Sequence, residues 1–121
     1  MIESLPESFA VLVTCESPAR GEQIARGLLE KHLAACVNIV PGAKSLYWWQ
    51  GKIENASECL LIIKTREEHL GALTAEVKRL HSYSVPEVIA FRIEGGNPDY
   101  LKWLTDETTI TTHRHTQTHT E

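Results

Sequence analysis

Three residues far apart in the chain could do chemistry together: a thiol at Cys15, an imidazole at His81 and a carboxylate at Glu87. Sulfur, nitrogen and oxygen donors form a mixed ligand set, which suits copper or zinc rather than magnesium or calcium. Cys15 stands just before Pro18, where a helix is expected to begin. Unpaired amides and the helix dipole favour an anion there and can lower a thiol's pKa, so a thiolate is expected. The spacing matches no local metal motif of the C-x-x-C or H-E-x-x-H kind. Each residue also has an ordinary structural role: Cys15 as a small buried hydrophobe, His81 as a cation complementing a helix C-terminus, Glu87 as a polar strand entry. Cys36 and Cys59 read as core thiols, and His32 and His69 as helix histidines, His32 toward the inner stripe and His69 on the surface.

Other chemistries fit the residues less well. A cysteine hydrolase needs a base and an orienting third group; Cys15 and His81 could supply the first two, but no Asn or Asp sits at an obvious orienting position. Cys15-Glu16-Ser17-Pro18 is not a glycine-rich phosphate loop, and Glu16 would repel a phosphate. RNA-binding sheets display aromatic residues on their central strands, whereas FAVLVTC and CLLIIKT are aliphatic apart from Phe9.

The elements that must position the three candidates follow from periodicity. Phe9 to Cys15 is an apolar run between polar boundaries, expected to be a central strand. Ser17-Pro18 reads as N-cap and first helical residue, and Ile24, Ala25, Leu28, Leu29 and His32 give an inner stripe ending near Leu33. Ala34 to Thr65 reads as one very long β-hairpin with its turn at Gln50-Gly51 and a bend or bulge at Pro41-Gly42. Thr65-Arg66-Glu67-Glu68 matches a capping box opening a second helix, with Leu70, Leu73, Val77 and Leu80 on its apolar face. Pro86 biases Val85 toward an extended conformation, so this helix stops near His81. Glu87 to Ile93 is the fourth strand, and Asn97-Pro98-Asp99 caps a last helix.

The order β-α-β-β-α-β plus a terminal helix predicts an α+β, ferredoxin-like sandwich with sheet order 4-1-3-2. That order lays the end of the first strand beside the start of the fourth, bringing Cys15, His81, Glu87 and the hairpin tip to one end of the sheet. Residues 1–107 are expected to be the domain, and residues 108–121, rich in Thr and His, a disordered tail. His113, His115 and His119 could pick up metal weakly but are set outside the site.

The hairpin also bears on assembly. About 15 residues of strand extend roughly 50 Å, while a helix of about 15 residues covers only about 22 Å. The chain's own helices therefore shield about half of it, and adjacent Trp48 and Trp49 point to opposite faces. A homo-oligomer is expected.

With 121 residues, a net charge of -4 and 23% charged residues, the chain has the make-up of one acidic domain with no basic patch, so nucleic acid is not an expected partner. Its three cysteines are an odd number that points to reduced thiols. No apolar run approaches the roughly 20 residues of a membrane span, and Met1-Ile2-Glu3-Ser4 lacks a signal-like start. A cytoplasmic, membrane-independent protein is expected.

The segments AACVNIVPGAKSLYWWQGKIE, ECLLIIKT, HSYSVPE and YLKWL closely resemble the CutA family of divalent-cation tolerance proteins, over roughly Phe9 to Thr105. The resemblance implies a ferredoxin-like protomer, a homotrimer built on the long hairpins, a likeness to PII-type signalling trimers, and a non-enzymatic link to copper and other divalent metals. It carries a metal site onto Cys15, His81 and Glu87. The chain departs from the family pattern at Ser82, where Pro often follows the His. A PII-like scaffold holding a small ligand or partner in the cleft between protomers is the alternative.

Overall fold

The computed structural model describes residues 7–109. Strand β1 (Ser8–Cys15) leads into helix α1 (Pro18–Glu30), then the hairpin strands β2 (Cys36–Trp49) and β3 (Lys52–Arg66), helix α2 (Leu70–Leu80), strand β4 (Val88–Arg92) and helix α3 (Pro98–Glu107). The four strands form one antiparallel sheet in the order β2-β3-β1-β4, as the sequence predicts.

Alternation along β1 and β3 sorts their side chains onto two faces. Val11, Val13, Cys15, Cys59, Leu61 and Ile63 point to one face, where Ile24 and Leu28 of α1 and Leu73 and Val77 of α2 complete the core. On the other face α3 covers only part of the sheet, anchored by its buried Leu104. Leu12, Leu60 and Ile62 are half-buried there, and Ile89 and Phe91 are exposed.

The hairpin is continuous, because Pro41 and Gly42 are absorbed as a bulge. Val40 pairs with Leu60 and Ala43 with Glu58, so two residues of β2 face Cys59 alone. Gly42 has φ +81°, and a Cβ there would meet nothing within 4 Å; the backbone conformation, not space, selects glycine. At the tip Trp49 pairs with Lys52, and both intervening residues have positive φ, Gln50 at 51° and Gly51 at 82°. That pattern belongs to a type I′ turn, whose twist matches the strands it joins.

Local chemistry gives way to tertiary contacts at several places. Thr65 does not cap α2: it is a fully buried strand residue whose hydroxyl donates to the Leu33 carbonyl at 2.6 Å. A 3-10 turn (Glu67–His69) precedes α2 instead. His69, expected on the surface, is buried with Nε2 on the Thr108 carbonyl at 2.5 Å. His32 lies past the end of α1 with φ 56°, and its Nδ1 meets the Glu107 carbonyl at 2.8 Å. Cys36 is only half-buried and lies near the Lys64 ammonium, so it is not a core thiol. Thr108, the first residue of the expected tail, is fully buried: Arg66 donates to its hydroxyl at 2.8 Å and to its carbonyl at 2.7 Å. The rest of that tail, from residue 110, lies outside the described residues.

Candidate functional site

The end of the sheet where Cys15, His81 and Glu87 were expected to meet is built by the segment between α2 and β4. Antiparallel register pairs Val13 with Val88, which leaves Thr14 and Glu87 side by side just beyond the last pair. His81 terminates α2 in an extended conformation, its N–H still donating to the Val77 carbonyl at 2.9 Å. Its ring turns back over β1. Nε2 lies 2.8 Å from the Thr14 carbonyl, and the Tyr83 backbone N–H donates to Nδ1 at 3.1 Å. A carbonyl only accepts and an amide N–H only donates, so the proton sits on Nε2. His81 is thus an oriented imidazole whose two nitrogens both serve the backbone, not a cation on the helix carbonyls.

Tyr83, Glu58, Glu16 and Ser82, none of which the sequence marked as a support for His81, hold this segment in place. Tyr83 stacks on the His81 ring, with centroids 4.5 Å apart, and its hydroxyl donates to Glu58 at 2.8 Å. Burial and the adjacent Glu58 carboxylate push the Tyr83 phenol above its ordinary range. Glu16 accepts from the Ser82 hydroxyl at 2.8 Å and from Arg20 at 3.0 Å. Burial would raise the Glu16 carboxyl, but these two hydrogen bonds outweigh it and hold the group below the usual carboxylate value. Ser82 therefore ties the loop to the start of α1 through its side chain. The signal available beforehand was the tyrosine and acid pattern itself, whose long-range pairing no spacing rule predicts.

Cys15 is fully buried with its thiol 3.4 Å from the Ser17 carbonyl. The expectation of a lowered pKa does not hold. Burial pushes the thiol up to about 11, opposed only in part by the Ser17 backbone and reinforced by neighbouring Cys59. The helix N-terminus is present, with Ser17 accepting from the Arg20 N–H, but desolvation of a sulfur with no water contact is the larger effect.

Glu87 is exposed and lines a cavity of about 690 Å³ shared with Thr14, Tyr47, Trp49, Glu58 and Tyr83. The hairpin tip and the loop after His81 thus form opposite walls of one space. Thr14 faces the cavity while its neighbour Cys15 faces the core, so the thiol lies beneath the cavity floor. Among the described residues no three His, Cys, Asp or Glu side chains are already gathered as a metal-holding group. The fold seats the His81 ring on the backbone beside Cys15, while the Glu87 carboxylate lines the cavity with Thr14 and Glu58, and neither His81 nor Cys15 is among the residues that line it.

Comparison with known proteins supplies the relationship. The family of CutA1 divalent ion tolerance proteins matches residues 9–107. The chain is 54% identical over 101 residues to the chloroplastic CutA 1 protein of Oryza sativa subsp. japonica, covering 84% of this chain and 57% of that one. It is 44% identical over 101 residues to the divalent-cation tolerance protein CutA of Pectobacterium atrosepticum, covering 82% and 92% respectively. The crystal structure of CutA1 from Oryza sativa superposes with a TM-score of 0.84 at 51% identity, covering 88% of this chain and 97% of that one. The chain spans little more than half the length of the plant relatives it matches. With a family match across nearly all of the described fold and a backbone shared with solved CutA1 structures, the chain belongs to the CutA1 divalent ion tolerance protein family.

Proposed function

We propose that this protein is a homotrimeric, non-enzymatic divalent-cation binder of the cytoplasm that takes copper, with zinc as a second cation, through Cys15, His81 and Glu87. The observation that carries this reading is the His81 ring seated on the Thr14 carbonyl, which puts an imidazole one residue from a buried thiol, with Glu87 next to Thr14 just beyond the last β1–β4 pair. The donor set fits these metals: thiolate and imidazole suit copper and zinc, and a carboxylate completes a mixed site. Engaging a cation costs His81 one of its backbone hydrogen bonds, on the order of 0.5–1.5 kcal/mol, and requires Cys15 to give up its proton, so binding weakens as pH falls. Bound there, the metal would tie β1 to the loop before β4.

The trimer reading rests on what a lone protomer leaves in water. Trp48 is 72% exposed and Ile53 62% exposed on the outer hairpin, with Leu46, Tyr47 and Trp49 also exposed nearby. An apolar stretch of that extent marks an association surface, and no helix of the described residues is long and apolar enough to cross a membrane instead.

Calorimetric titration with copper and zinc tests the metal reading. The protein should carry His113→Ala, His115→Ala and His119→Ala, so that tail imidazoles do not contribute. Tight, stoichiometric binding that disappears in a Cys15→Ala/His81→Ala variant is expected; equal binding by both proteins would sink it. A second reading, a PII-like scaffold, is favoured by the cavity between hairpin tip and loop, which is of a size to hold a small ligand. Capture of a partner unaffected by chelator would support that reading.

A further inference from the structure

The cavity beside the hairpin collects acids and aromatic rings on one face of the sheet. Register sets Ala43 opposite Glu58, and Ser45, Tyr47 and Trp49 follow Ala43 at steps of two, so their side chains share the face of Glu58. Thr14 pairs with Leu60, two residues from Glu58, and Glu87 stands beside Thr14, which puts both on that face as well. Lys44 and Leu46 also line the space, but the same alternation turns them to the opposite face. The charged strand residues on the cavity's own face are therefore two carboxylates, Glu58 and Glu87. Tyr47 is 44% exposed and Trp49 52% exposed, so both rings are open to a ligand. The Tyr83 hydroxyl donates to Glu58 at 2.8 Å and fixes that carboxylate through one of its two oxygens.

We propose that this cavity binds a small organic ammonium ion, its N–H donors on Glu58 and Glu87 and its apolar body against Tyr47 and Trp49. The inference names a ligand class for the scaffold reading and rests on that reading for the cavity's being a ligand site. Its volume of about 690 Å³ lies within the roughly 300–1,000 Å³ of small-molecule sites. An ammonium is drawn to the face of an aromatic ring by the ring quadrupole, and its hydrogen bonds to carboxylates are stronger than those between neutral groups. A site that offers both selects its ligand by charge as well as by shape. Tyr83 reports the local field: burial first, then the Glu58 and Glu16 carboxylates push its phenol up, so the cavity resists a further negative charge.

The test is an NMR titration of the isotope-labelled full chain, with EDTA present so that no divalent cation competes for Glu87. Three probes share one body and differ in charge: phenethylamine, phenethyl alcohol and hydrocinnamate. The Trp49 indole N–H and the Tyr83 amide report occupancy, Trp49→Phe assigning the indole signal. Phenethylamine should shift both signals saturably and bind about tenfold tighter than the alcohol, with hydrocinnamate weaker still. Glu58→Gln, which keeps an acceptor for Tyr83, and Glu87→Gln, at an exposed position, should each weaken the amine about fivefold and leave the alcohol unchanged. Equal binding of amine and alcohol overturns the ammonium assignment and keeps the cavity as a ligand site of the scaffold reading. Undiminished amine binding by both Gln variants does the same. Silence of both signals with all three probes overturns the assignment and removes the cavity's support from that reading as well.

Discussion

His81 Nε2 lies 2.8 Å from the backbone carbonyl of Thr14, spanning 67 positions of sequence to fasten the end of α2 to the end of β1. The same ring accepts the Tyr83 N–H, so one side chain sets both the path of the loop before β4 and its own orientation. A single imidazole is thereby the structural pivot of this sheet end.

Replacing His81 with Ala should therefore loosen the loop even without metal. Losing its two backbone hydrogen bonds is expected to cost about 1–3 kcal/mol, read as a lower urea midpoint. Amide exchange at Tyr83 should accelerate, and unchanged protection there would show that the ring is a passenger.

Thr108→Ala is expected to destabilise by roughly 1–3 kcal/mol, because the buried Arg66 guanidinium loses the hydroxyl that accepts from its Nε. Chemical denaturation measures this. The loss should exceed that of Thr109→Ala, since Thr109 is only half-buried and its hydroxyl serves a local helix-end carbonyl.

The chain's acid sensitivity has a named contributor. Hydrogen bonds from Arg79 and then Lys31 hold the Glu76 carboxyl down at about 2, against an ordinary value of 4.5. A depressed native pKa gives stability that is fully present above the unfolded value and is lost as pH falls from 4.5 toward 2. Glu76→Gln should lower stability at neutral pH and flatten its fall across that window; stability that falls as steeply in the variant would contradict the assignment.

Trp48→Glu should reduce the assembly mass measured by light scattering, because it places a charge where association would bury an indole worth roughly 1.5–3 kcal/mol or more. Unchanged mass would put the oligomer interface elsewhere than the hairpin.

The framework was legible because it depends on patterns local to each segment. The apolar run from Cys59 to Ile63, the Pro41-Gly42 break and the Gln50-Gly51 turn appear in the structure as a strand, a bulge and a tight hairpin, and Ser17-Pro18 and Asn97-Pro98 start their helices. Thr65 was misread because its capping-box neighbours carry the right chemistry, while the Leu33 carbonyl that claims its hydroxyl lies 32 residues away. His69 and Thr108 were placed outside the core for the same reason: polar residues there are buried only because they satisfy one another and Arg66. At Cys15 both opposing effects were foreseeable, a helix N-terminus and an apolar strand end. Their balance depends on how fully α1 seals the sulfur from water, which is a property of packing.

The most direct test of the central claim is X-ray absorption at the zinc edge of the protein loaded with zinc and carrying His113→Ala, His115→Ala and His119→Ala. A site formed by Cys15, His81 and Glu87 predicts one sulfur scatterer at about 2.3 Å together with nitrogen and oxygen near 2.0–2.2 Å, the sulfur shell vanishing in Cys15→Ala. A first shell of nitrogen and oxygen alone in the protein with Cys15 intact would contradict the account.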